Sequence, residues 1–100
     1  MTNKKIFIIN GPNLNLLGDR EPDIYGNKTL EDLENDLNQI VEDNELDIDL
    51  VFMQSNSEGK IVDQVQMAGK EAAGLIINAG GLSHTSVSIL DSLLSINIPK

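Results

Sequence analysis

The sequence predicts an α/β fold: a single domain, residues 1–100, on a doubly wound parallel sheet with strand order 2-1-3. Three observations carry this reading. Apolar runs of strand length alternate with amphipathic runs of helix length, in the order β-α-β-α-β-α. The length of 100 residues, 40% of them hydrophobic, suits one small domain with one core. Right-handed crossovers with helices on both faces favour the doubly wound arrangement, in which strands one and three are neighbours.

Each element has its own justification. KIFIIN, Lys5 to Asn10, is a nearly continuous apolar run, as expected of a central strand buried on both faces. In TLEDLENDLNQIVEDN, Thr29 can cap a helix and Glu31 and Asp32 suit its positive end. Leu30, Leu33, Leu37, Ile40 and Val41 fall on one face of that helix. DIDLVFMQ, Asp47 to Gln54, alternates at its start and reads as an edge strand with one wetter face. The second helix carries Ile61, Val65, Ala68 and Ala72 in register and ends near Gly74. GLIIN, Gly74 to Asn78, is the third buried strand, followed by the Gly-rich loop AGGLSHTS. In the last helix, VSILDSLLSI, Val87, Leu90 and Leu94 are expected to face inward. The chain stops at NIPK, where a fourth strand would begin.

Composition narrows the function. A net charge of −9 argues against nucleic acid, whose phosphates need a basic footprint, and against an anionic membrane surface. No cysteine excludes disulfides and thiol chemistry, and with a single His a dedicated zinc or iron site is not expected. MTNKKIFIING is too short an apolar run for a signal peptide or a membrane span, so a cytoplasmic location is the expectation.

The candidate chemistry lies in two loops. NGPNLNLLGDREPDIYG, Asn10 to Gly26, is long for a strand-to-helix connection, and such loops are commonly lids or binding loops. Gly18, Pro22 and Gly26 bracket a polar stretch that reads as a gating lid. NAGGLSHTS closes the neighbouring strand, and the crevice between the C-terminal ends of those two strands is the usual ligand site. Neither loop has the glycine spacing of a phosphate or dinucleotide cradle. Gly11-Pro12 forms a rigid turn that would aim the Asn13 amide into the crevice; alternatively, Asn10 and Asn13 satisfy loop backbone. Arg20 and Tyr25 are the only Arg and the only Tyr. A neighbouring cation favours the phenolate and makes Tyr a usable general base. The plainer alternative is that Arg20 is a surface charge and Tyr25 packs the helix start. His84 precedes a helix N-terminus and could donate to a ligand hydroxyl or cap its own turn. Asn78 ends a buried strand and needs a polar partner, while Asp91 reads most simply as a solvent-facing charge.

NGPNLNLLGDREPDIYG, QSNSEG and INAGGLSHTSV resemble, in order and spacing, the signature segments of the type II 3-dehydroquinases, from Ile6 to Pro99. The resemblance implies a flavodoxin-like fold and a lyase of the shikimate route to aromatic amino acids. Such an enzyme converts 3-dehydroquinate to 3-dehydroshikimate by anti elimination through an enolate, with no metal and no cofactor. By position, Tyr25 matches the family's base and Arg20 the residue that holds it as phenolate. Asn13 matches the support of the enolate oxygen, through a water. Asn78 and His84 match contacts to the substrate's carboxylate and ring hydroxyls, and Asp91 a residue that reaches a neighbouring subunit's site. A homo-oligomer is implied, trimers grouped into a dodecamer.

The same resemblance makes these residues the N-terminal two-thirds of the family domain. Strands four and five are missing, together with a second His that serves as general acid. Residues 1–100 alone are therefore expected to be inactive. The open edge Leu75–Ile77 is expected to make them prone to association. The alternative from another class is a flavodoxin-like module that binds a small ligand without turning it over.

Overall fold

The computed structural model describes residues 3–18 and 28–100. Strand β1 (Lys4–Asn10) occupies the centre of a three-stranded sheet, between β2 (Ile48–Gln54) and β3 (Gly74–Asn78). All pairings are parallel and the order is β2-β1-β3, as the sequence predicts. Helix α1 (Leu30–Asp43) links β1 to β2, α2 (Glu58–Glu71) links β2 to β3, and α3 (Val87–Ser95) follows β3. Because the connections run across the sheet one way from β1 to β2 and the opposite way from β2 to β3, right-handed crossovers put α1 on one face and α2 on the other.

The core lies on the α2 face. Phe7 and Ile9 of β1 point the same way, since side chains alternate along a strand, and they meet Leu75 of β3 and Ile61, Val65 and Ala68 of α2. Ile89 of α3 and Ile96 just beyond it complete the cluster, with Val51, Met53, Ile77 and Leu93 half-buried around it. α3 packs on α2 and so shares that face.

One expectation about α3 is corrected. Val87, Leu90 and Leu94 point outward and are exposed; Ile89, Ser92 and Ile96 are the buried positions. The helix is apolar on more than one side, so spacing alone could not choose the inward stripe. The second helix also stops earlier than expected, at Glu71, with Ala72 as its C-cap. The open edge of β3 is partly occupied, because the Leu75 N–H donates to the Pro99 carbonyl at 2.9 Å.

α1 contrasts with α2. It lies against β2 and the turn after β1, and none of its residues is buried. Its expected stripe exists, but Leu33, Leu37 and Ile40 remain exposed. Its ends are well made instead. The Thr29 hydroxyl accepts from the Asp32 N–H (3.1 Å) and the Asp32 carboxylate accepts from the Thr29 N–H (3.0 Å), which is a capping box. At the other end Leu46 N–H donates to Val41 O and Glu45 N–H to Glu42 O, both at 3.1 Å, the pairing of a Schellman motif. Glu45 supplies its left-handed residue, at φ 52°, where glycine is usual.

Candidate active site

Strand register sets the floor of the site. Asn10 is level with Gln54 on one side and Asn78 on the other, so three polar residues end the three strands in one row. From this row two loops rise. The first contains a 3-10 turn at Leu14–Leu16, and the loop after β3 is a 3-10 turn at Gly80–Ser83. They are joined at the base: Gly11 N–H donates to the Asn78 carbonyl at 2.7 Å. A Cβ at Gly11 would lie 2.5 Å from the Ala79 carbonyl oxygen, so only glycine permits this approach.

Above the joint is an open cleft of about 360 Å³. Pro12, Asn13, Leu14, Leu16 and Leu17 line one side of it, and Gly80 and Gly81 the other. Topology places ligand sites of doubly wound sheets at such a point.

Asn13 has φ 69°, in the left-handed region that Asn tolerates better than most residues. Its backbone N–H donates to Asn56 Oδ1 at 3.0 Å. Its side chain makes no hydrogen bond among the described residues, and the residue lines the cleft. Asn78 finds its partner locally, since Oδ1 accepts the Gly80 N–H at 3.1 Å and so shapes the loop floor. His84 is exposed and ends the second 3-10 turn, its backbone N–H donating to Gly81 and Leu82 carbonyls. Asp91 is exposed on α3 and is not part of the cleft lining. The structure therefore brings Asn13 and the Asn78–His84 loop to one end of the sheet. Arg20, Tyr25 and the expected lid lie outside the described residues.

Sequence reasoning assigned no role to Gln54 or Asn56, although both occur in the QSNSEG segment. Gln54 Nε2 reaches the Gly11 carbonyl (3.2 Å), Asn56 Oδ1 (3.1 Å) and Asn15 Oδ1 (3.4 Å). The available signal was a polar amide closing an otherwise apolar strand. A third contact was equally hidden: the Ser86 hydroxyl caps α3 through the Ile89 N–H and donates to Glu58 at the start of α2 (2.8 Å). Among the described residues, no group of three His, Asp or Glu side chains is placed to hold a metal ion, and no helix is long and apolar enough to cross a membrane.

Comparison with known proteins gives this geometry its family. The model of the family described as dehydroquinase class II matches residues 4–100. The chain belongs to that family. It is 55% identical over 94 residues to the 3-dehydroquinate dehydratase of Prochlorococcus marinus subsp. pastoris, covering 94% of this chain and 63% of that protein. It is 49% identical over 96 residues to that of Endomicrobium trichonymphae, covering 96% and 66%. Among solved structures, the type II dehydroquinase of Butyrivibrio crossotus superposes with a TM-score of 0.89 at 42% identity, over all of this chain and 68% of that one. That of Propionibacterium acnes gives 0.85 at 34% identity, over 98% and 66%. The chain thus spans 63% of the length of the 3-dehydroquinate dehydratases of Prochlorococcus marinus that it matches. The flavodoxin-like fold class expected from the sequence is that of these neighbours.

Proposed function

We propose that the protein carrying these residues is a 3-dehydroquinate dehydratase, a hydro-lyase that forms 3-dehydroshikimate by anti elimination through an enolate. One observation supports this most. The cleft at the β1–β3 strand ends lies between the two loops that carry the family's signature segments, and Asn13, whose amide makes no hydrogen bond among the described residues, lines it. The proton lost in such an elimination lies beside a ketone and is acidic only because the carbonyl oxygen can take up charge. Preorganised donors aimed at that oxygen supply the stabilisation.

In this reading Tyr25 is the general base and Arg20 the cation that keeps it a phenolate. Asn13 supports the enolate oxygen through a water. Asn78 and His84 hold the substrate's carboxylate and hydroxyls, and Asp91 serves a neighbouring subunit in a dodecamer of trimers. The residues form the N-terminal two-thirds of one domain of a cytoplasmic enzyme. The general acid comes from beyond them, so residues 1–100 alone do not turn substrate over. A binding module without turnover is the less favoured reading, because the curated relatives are named as dehydratases.

The test is direct. The intact natural protein, given 3-dehydroquinate, should generate a conjugated enone that absorbs in the near ultraviolet. Tyr25→Phe should lower turnover by orders of magnitude while substrate still binds. Retention of unchanged substrate by the wild type would point to the binding module, and near-normal turnover in Tyr25→Phe would remove the base assignment.

A further inference from the structure

We infer that Gln54 and Asn56, two side chains at the end of β2, are positioning residues that set the conformation of Asn13; their bearing on turnover rests on the dehydratase reading. The geometry fixes the orientation of both amides. Asn56 Oδ1 receives the backbone N–H of Asn13 at 3.0 Å, and a backbone N–H only donates, so the atom facing it must be the oxygen. Gln54 faces the Gly11 carbonyl at 3.2 Å, and a carbonyl only accepts, so the atom facing it must be the nitrogen. The same Gln54 Nε2 lies 3.1 Å from Asn56 Oδ1, closing a chain from Gly11 through Gln54 and Asn56 to Asn13. Its two hydrogens serve these two shorter contacts best, and Asn15 Oδ1 at 3.4 Å is the outlying third.

The chain has a function that loop packing alone would not explain. Asn13 sits at φ 69°, and its N–H is held at that angle by a side chain from the turn that follows β2. Released, the N–H could be served by water and the residue could relax toward the right-handed or extended region. Its amide would then leave the cleft wall. Gln54 carries no atom into the cleft lining, and neither does Asn56, so both act through Asn13.

This network makes opposite demands on two near-isosteric substitutions. Gln54→Glu puts a carboxylate oxygen against the Gly11 carbonyl and against Asn56 Oδ1. The flip of Asn56 that would relieve the second contact turns its NH₂ group onto the Asn13 N–H, donor against donor. Asn56→Asp, by contrast, keeps an acceptor toward both Asn13 N–H and Gln54 Nε2. The split between kcat and KM, read beside exchange at Asn13, separates this role from loop packing alone.

The experiment combines amide hydrogen exchange at Asn13 with steady-state kinetics on 3-dehydroquinate, in the intact natural protein. Asn56→Ala and Gln54→Glu should speed Asn13 exchange and lower kcat by about tenfold or more, with KM moving less than about threefold, because support of a developing oxyanion is a transition-state interaction. Asn56→Asp should rescue both readouts. Unchanged Asn13 exchange in Asn56→Ala would overturn the positioning role. Faster exchange with unchanged kcat would overturn its bearing on the reaction. If the wild type leaves 3-dehydroquinate intact, the dehydratase reading falls, and exchange still decides whether the two amides hold Asn13.

Discussion

Helices α1 and α2 are both 14 residues long and both cross from one parallel strand to the next, yet they are held in different ways. α2 is held by its face: Ile61, Val65 and Ala68 have no exposed surface and meet Phe7 and Ile9 of β1. α1 is held by its ends, through the capping box at Thr29 and the Schellman pairing at Asn44–Leu46, while Ile40 is 53% exposed. The sheet reports the same asymmetry. On the face opposite the core, Ile8 is buried, but its register partner Ile76, one strand farther from α1, is 59% exposed. An amphipathic pattern thus names the apolar side of a helix and leaves open how much of that side is covered.

The largest effect should come from making one substitution on both helices. Ile61→Ala removes a fully buried side chain and should cost about 2–5 kcal/mol in urea unfolding. Ile40→Ala should cost less than about 1 kcal/mol, since little burial is lost and alanine is the better helix former. Equal losses would mean that α1 is packed as tightly as α2, contrary to the described structure.

Next comes the N-terminal end of α1. Thr29→Ala should cost about 1 kcal/mol, the usual value of a lost N-cap, whereas a helix held by its face would barely respond. The pH dependence follows from Asp32. Its carboxyl is held below the ordinary carboxylate value, first by the Thr29 N–H and then by the Thr29 hydroxyl. A depressed folded-state value means that the stabilisation is complete above the ordinary value and is lost as pH falls through the lowered one. Asp32→Asn should therefore be less stable than wild type at neutral pH, with the difference closing in strong acid. A difference that persists there would show that charge on Asp32 is not the cause.

The smallest effect should be a gain. Glu45 holds φ 52° at the C-terminal end of α1. Glu45→Gly removes the Cβ penalty of the left-handed region, partly offset by the greater freedom of glycine in the unfolded chain, and should raise stability by roughly 0.5 kcal/mol. A loss would mean that the Glu45 side chain contributes more than its backbone conformation costs.

Much of this molecule was legible because local chemistry decides it. Apolar runs bounded by polar turns identified the three strands, and Thr29 announced the start of α1. Right-handed crossovers with helices on both faces led to the order 2-1-3 and to a cleft between the first and third loops. Asn13 was legible as a candidate because it follows the rigid Gly11-Pro12 turn, Asn78 because it ends an apolar strand, and His84 because it lies beside glycines at the mouth of the expected crevice. The run TLEDLENDLNQIVEDN also ends at the observed C-cap, Asn44, but the left-handed turn after it was not legible, because Glu45 stands where a glycine would have marked it.

What the sequence by itself determined, then, is the alternation of elements, their pairing order and the end of the sheet where the candidate site lies. These follow from periodicity, caps and the handedness of crossovers, all of which act over short stretches of chain. Only the tertiary structure decided which stripe of α3 is buried. Val87, Leu90 and Leu94 have helical spacing just as Ile89, Leu93 and Ile96 do, and contact with α2 selected the second set. Only the tertiary structure, too, joined Gln54 and Asn56 to Asn13, 43 positions away from Asn56 in the chain. An amide carries no local sign of its distant partner, and parallel register alone brought the end of β2 beside the loop that leaves β1.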